Sequence, residues 1–137
     1  MIELAELSAA PLGTIPFATS IVLVSGAPKS QPARNKAIVF GHLICGAVGI
    51  AMHHSGYEAP VTVAAAVAIG IALMLAFDAF HPPAGITPVV LYGSTLDWTF
   101  LFSPVLLGAV CVAILARTAE KLIDLEEQWR KPEADKN

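Results

Sequence analysis

Charged residues in this chain are spaced like the ends of membrane spans. No Asp, Glu, Lys or Arg lies between Glu6 and Lys29, Lys36 and Glu58, Glu58 and Asp78, Asp78 and Asp97, or Asp97 and Arg117. Each uncharged run is about 18 to 22 residues, the length a helix needs to cross a hydrocarbon core of about 30 Å. A soluble helical bundle would show one apolar stripe per helix. Residues 59–77 are instead apolar all round, from Ala59 to Phe77. The chain reads as an all-α integral membrane protein.

Only 14% of its residues are charged, against about a quarter in soluble domains. The net charge of −3 leaves no basic surface for nucleic acid, and the lipid bilayer is the expected partner. Glu3 and Glu6 stand where a signal peptide would carry basic residues, so none is expected. Cys45 and Cys111 fall in mid-span and read as buried packing residues.

Three full spans are expected: Lys36–His53, Pro60–Phe80 and Phe100–Ala116. Residues 1–9 read as a short acidic lead. A first helix is expected from Pro16, because Pro11 and Gly13 interrupt the run before it. Ser25–Asn35 reads as a polar loop. His53 and His54 read as an interfacial pair, and Trp98 as an interfacial anchor. After Arg117 the last helix is expected to run on into water, with Glu127 and Lys131 paired at i, i+4. Ala64, Ala68, Ala72 and Ala76 recur every four residues and suggest a close-packing helix face.

The run His81-Pro82-Pro83-Ala84-Gly85 breaks this pattern. Successive prolines stop a helix. Gly85 would let the backbone bend or come close to another group. Irregular backbone at membrane depth must be buried in protein or line a polar cavity, which marks this break as the candidate site.

The chain also reads as an internal repeat. Val39–Ala51 aligns with Leu101–Ala113, matching Phe40, Gly46, Ala47, Val48 and Ala51 to Phe102, Gly108, Ala109, Val110 and Ala113. Upstream, Pro16–Leu23 aligns with Pro83–Val90 and sets Ser20 opposite Thr87. The basic clusters Lys29, Arg34, Lys36 and Arg117, Lys121 both favour the cytoplasm. Residues 81–98 must then cross, and the repeat is inverted, as in many transporters. The competing reading is a re-entrant hairpin. The expected fold is three full spanning helices plus two proline-broken half-helix elements in an inverted repeat. It is a single domain over 1–137, with a core of about 10–120 and a cytoplasmic tail helix over 121–137.

Half-helices starting at Pro16 and Pro83 would aim free N–H groups inward and favour anions. Thr19, Ser20 and Thr87 would add hydroxyls, and His81 a titratable donor. Asp78, three residues earlier on the same expected helix face, is either a path residue or an interfacial charge ending the helix. His42, inside a span, is either a ligand or a histidine bonded to a neighbouring helix. The histidines lack companions at metal spacing, so no metal or cofactor is expected. An enzyme acting through Asp78 and His81 lacks a second acid or nucleophile, so none is expected.

The ordered set of motifs resembles the HPP family of small integral membrane proteins. It comprises His81–Gly85 after the alanine-rich span, Pro16-Phe-Ala-Thr-Ser-Ile-Val-Leu, Gln31-Pro-Ala-Arg-Asn35, Gly41-His-Leu43 and Pro104-Val-Leu-Leu-Gly108. The likeness covers roughly residues 10–120. It implies a transporter, since some members are linked to nitrite movement across chloroplast or cyanobacterial membranes. This chain departs from the family in three places. Longer members carry another span before the first proline piece, Ala33 interrupts the usual Gln-Pro-Arg-Asn order, and Pro88 replaces a commoner alanine. The missing span suggests a homo-oligomer.

The leading expectation is therefore a multi-pass transporter or channel for a small inorganic anion, nitrite being the candidate. It would sit in a bacterial inner membrane with its C-terminus cytoplasmic. His81, Pro82, Pro83, Gly85, Thr87, Thr19, Ser20, His42 and Asp78 are the candidate path. The alternative is a membrane-embedded scaffold or accessory subunit.

Overall fold

Helix α2, Asn35–His54, is the axis around which the other elements pack. In the computed structural model residues 2–56, 59–92 and 97–134 are described, with side chains over 14–56, 59–92 and 97–130. Helix α1 spans Ile2–Gly26, α3 spans Pro60–Ala76, α4 spans Thr87–Leu91 and α5 spans Leu107–Ala134. A 3-10 turn at Gln31–Ala33 precedes α2, and another at Pro82–Ile86 leads into α4. A wider π-type turn at Leu101–Leu106 leads into α5. No strand occurs among the described residues.

The helices approach closely because small residues stand where they meet. In lipid there is no hydrophobic drive between helices, so fit decides association. A side chain at Gly49 would meet Leu91 and Pro88, and one at Gly70 would meet Cys45. One at Gly108 would stand 2.5 Å from the Phe17 ring. Val24, Ala33, Ile38, Val112, Ala113 and Ala116 form a buried cluster that ties α1, the first loop and α2 to α5.

The ends of the bundle are marked by contacts. At one end Asp78, just after α3, meets Arg34 and Lys36 at the start of α2. Lys29 pairs there with Asp124 and Glu127 of α5. At the other end the His54 ring stacks on Trp98, with centroids 6.0 Å apart. His81 touches Pro32 at the first end, and Leu91 packs by Gly49 farther along α2. His81 and Trp98 therefore lie toward opposite ends of the bundle. Residues 93–96 between them lie outside the described residues.

Several expectations are corrected. Residues 2–9 belong to α1, which passes through Pro11 and Pro16 without ending. Pro16 is thus not a helix start, and no set of free N–H groups lies there. Helix α3 has 17 residues and stops at Ala76, short of Phe80. Its end is a left-handed cap: Asp78 takes φ 51°, Ala79 N–H bonds Met74 O and Asp78 N–H bonds Leu75 O. These bonds satisfy carbonyls that the helix end would leave bare. Asp78 and His81 therefore share no helix face. The third expected span keeps membrane length but is kinked at Ser103, whose backbone is extended (φ −142°, ψ 114°).

The buried face of α3 is Ala66, Gly70 and Met74, two residues out of step with the expected one and so on roughly the opposite side of the helix. Ala64, Ala68, Ala72 and Ala76 are exposed. Cys111 is exposed too, while Cys45 is buried against Met74. Helix α5 does continue past Arg117, as expected. Its Glu127 pairs with Lys29, and the side chain of the expected partner Lys131 lies outside the described residues. Glu126 and Arg130 make an i, i+4 pair. By length and hydropathy α2 and the Leu101–Arg130 helix can each cross a membrane.

Candidate functional site

Three side chains from distant parts of the sequence meet in the bundle interior. Ser20 comes from α1, His42 from the second turn of α2, and His81 from the residue before the Pro82-Pro83 turn. All three have 0% exposure. The Ser20 hydroxyl lies 2.9 Å from His42 Nε2 and 2.9 Å from His81 Nε2. It also donates to the Pro16 carbonyl at 2.6 Å. The far side of the His81 ring bonds the Pro32 carbonyl through Nδ1 at 2.7 Å.

Local backbone explains the convergence. His81 is extended (φ −132°, ψ 93°), as a residue before proline must be. The left-handed backbone at Asp78 has already turned the chain out of α3. Gly41 then lets His81 close on α2, since a Cβ at Gly41 would fall 2.8 Å from His81 Cβ. The Gln31–Ala33 turn brings the Pro32 carbonyl to the ring. Phe17 lies against His42, with ring centroids 5.0 Å apart.

Thr87 opens the next stretch. It is 4% exposed and its Oγ1 has no hydrogen-bond partner; the same holds for Nδ1 of His42. Both residues line a small cavity of about 10 Å³, with Pro16, Phe17, Leu91 and Phe100 around them. That is close to the space one water-sized group needs. Buried polar atoms normally find partners, so two bare ones on residues lining one cavity make it the candidate place for a water or a small ligand.

The remaining expected site residues fall elsewhere. Thr19 is exposed and bonds back to Ile15 and Pro16 carbonyls of its own helix. Asp78 is exposed and held by Arg34 (3.0 Å), Gln31 (3.2 Å) and Lys36 (3.5 Å). Chiefly the Arg34 guanidinium holds its carboxyl below the usual value of 3.8. Pro82 and Pro83 form the 3-10 turn and offer no polar side chain. Gly85 is buried but needs neither positive φ nor close approach, because a Cβ there meets open space. The paired helix-end attraction expected at Pro16 and Pro83 is absent: α1 is continuous and α4 has five residues. Side-chain groups, not helix ends, make this site polar.

Sequence reasoning missed the Pro32 carbonyl and the seat at Gly41. Both lie within stretches, Gln31–Asn35 and Gly41–Leu43, that stood out only as motif pieces. The signal for Gly41 was its place directly before a buried histidine.

Residues 1–129 match the family described as HPP, transmembrane region. Two proteins of Dictyostelium discoideum, each named a transmembrane protein, are 32% identical over an alignment of 108 residues that covers 73% of this chain. The chain spans 38% and 35% of the length of these two relatives. No solved structure matches it. With the family's motif at His81–Gly85 seated against α1 and α2, and the match running through nearly the whole chain, this protein belongs to the HPP family of integral membrane proteins.

Proposed function

We propose that the protein transports a small inorganic anion across a membrane, with His81, Ser20, His42 and Thr87 on the path. The observation that carries this reading is the buried polar row from Pro32 O through His81, Ser20 and His42 to the cavity at Thr87. Such a row in an apolar bundle is costly to bury and marks solute or proton pathways. Nitrite is the first candidate, being small and an acceptor at each oxygen.

The architecture supports the same reading. Helix α1 packs on α5 as α4 packs on α2. This is the exchanged pairing that an inverted repeat of α1–α2 with α4–α5 would make. In that repeat α3 is the third crossing; its 17 residues reach about 26 Å. Lys29, Arg34 and Lys36 share one end of the bundle with Arg117, which lines a groove with Lys29 and Arg34. That end faces the cytoplasm by the distribution of basic residues, and the C-terminus lies there in a plasma membrane. The exposed ridge Ala64–Ala76 suits close approach of a second copy, in keeping with a homo-oligomer.

The test is nitrite entry into proteoliposomes, compared with empty liposomes and with the His81→Ala and Thr87→Ala proteins. Protein-dependent entry that both substitutions abolish is the expected result. Entry unchanged by either would remove these residues from the path. No flux of any small anion would overturn the transport reading.

A further inference from the structure

With neutral side chains the hydrogen bonds around Ser20 close in one way, and that way leaves a His42 nitrogen bare. A carbonyl only accepts, so the 2.7 Å contact with Pro32 O fixes a proton on His81 Nδ1. A neutral His81 then has a bare Nε2, which takes the Ser20 proton. The Pro16 carbonyl, 2.6 Å from Ser20 Oγ, has Thr19 Oγ1 as a donor at 3.0 Å. His42 Nε2, the third neighbour, can donate to Ser20 Oγ, and this leaves His42 Nδ1 bare toward the cavity. A bare nitrogen accepts hydrogen bonds and repels an anion's oxygen.

One added proton reverses the His42 ring's polarity toward the cavity. If it enters at His42 Nδ1, the Nε2 proton passes to Ser20 Oγ, and the Ser20 proton passes to His81 Nε2. The N–H and O–H bonds broken and formed balance, and the net result is one proton gained. His81 becomes an imidazolium that donates to both Pro32 O and Ser20. Ser20 donates to His42 Nε2. His42 now presents Nδ1–H to the cavity beside the Thr87 hydroxyl. The Pro16 carbonyl keeps Thr19 Oγ1 as a donor at 3.0 Å.

We propose that the His42–Thr87 cavity binds an oxygen of a small oxyanion together with one proton, which Ser20 relays to His81. This rests on the transport reading and deepens it: the anion would cross as an anion–proton pair. The two imidazole rings are 5.2 Å apart edge to face, close enough for the His81 charge to favour an anion beside His42.

The surroundings of His81 leave few other groups to take part. Helix α1 presents Ser20, α2 presents His42 and Gly41, the first loop presents a carbonyl, and α3 presents Met74 beside Gly41. Asp78, Arg34 and Lys36 are engaged with one another at the exposed end. Among the described residues His42 is the titratable partner facing His81.

The experiment is 15N NMR of the histidine-labelled full chain in nanodiscs, with each ring assigned by single substitution. It is titrated with pH and then with nitrite. The expected result is that His81 gains its second proton while His42 switches from Nε2–H to Nδ1–H, with nitrite moving both changes to higher pH. In Ser20→Ala the His81 ring titrates and His42 does not switch; Ser20→Thr restores the switch. The wild-type titration decides alone. A His42 that keeps Nε2–H while His81 titrates, or a His81 that stays neutral wherever the protein is folded, overturns the relay. The switch seen without any proteoliposome flux would leave the relay standing and remove the transport reading. Flux without the switch would do the reverse.

Discussion

Gly41 is the surface on which His81 rests: a Cβ at Gly41 would stand 2.8 Å from the Cβ of His81. The same atom would also crowd the Ala79 carbonyl at 3.2 Å. These are backbone and near-backbone atoms that cannot swing aside. Gly41→Ala would gain about 1 kcal/mol of helix propensity. Overpacking at such a contact costs about 1–3 kcal/mol, so a net loss of stability is expected. Unfolding of the purified protein in nanodiscs, followed by temperature, checks it. A Gly41→Ala protein as stable as wild type and with unchanged flux would show that His81 does not need this seat.

Gly85 makes the opposite case within the signature motif. A methyl group there meets open space, and its φ is not positive. Gly85→Ala is therefore expected to leave stability unchanged or raise it by up to about 1 kcal/mol, through lost freedom of the unfolded chain. The same thermal measurement applies. A marked loss would mean that a ligand or a second copy comes close to Gly85 and uses its bare Cα.

The contrast between these two glycines shows what the sequence could and could not reveal. Uncharged runs delimit α2 and the central part of α5, because bilayer thickness fixes their length. Hydroxyls and imidazoles isolated in apolar runs pointed to Ser20, His42, His81 and Thr87, because burial makes such residues conspicuous. The three-dimensional terms were not visible. Pro16 looked like a helix start, yet α1 carries it, since proline is compatible with both a helix start and a helix interior in a membrane protein. Asp78 looked like a neighbour of His81 at i, i+3, until its left-handed backbone turned the chain. The exposed alanine ridge of α3 was read as its packing face, because small residues line both sides of that helix.

Asp78 joins helix capping to charge, and its pH dependence follows from sign. Arg34 first, then Lys36 and Gln31, hold its folded-state value below the ordinary 3.8. A group lowered in the folded state contributes stability above its unfolded value, and loses it as pH falls through the folded one. Acidification below about pH 4 is thus expected to loosen the first loop from the end of α3. Asp78→Asn keeps a residue that tolerates the left-handed backbone and removes the charge. Its melting temperature should fall less than wild type between pH 5 and 2, each pH being an experimental setting near ordinary carboxylate values of about 4. Identical falls in both proteins would assign acid sensitivity to other carboxylates. High salt should weaken the wild-type advantage, because Asp78, Arg34 and Lys36 are all about half exposed.

Thr87 separates stability from function. Its hydroxyl is buried without a partner, a state that costs about 1–3 kcal/mol. Valine has nearly the same shape and no group to satisfy. Thr87→Val is therefore expected to fold at least as well as wild type, with a gain of up to about 1–3 kcal/mol. If the hydroxyl meets an anion in transit, flux should still fall by about tenfold or more, since a hydrogen bond to a charged group is worth about 1.5–3 kcal/mol. Thr87→Ser, which keeps the hydroxyl, should retain most of the flux. Thermal unfolding and nitrite entry measured on the same preparations give both numbers. A Thr87→Val protein that is destabilised would mean the hydroxyl has a structural partner. One that is stable and transports normally would take Thr87 off the path and leave the row ending at His42.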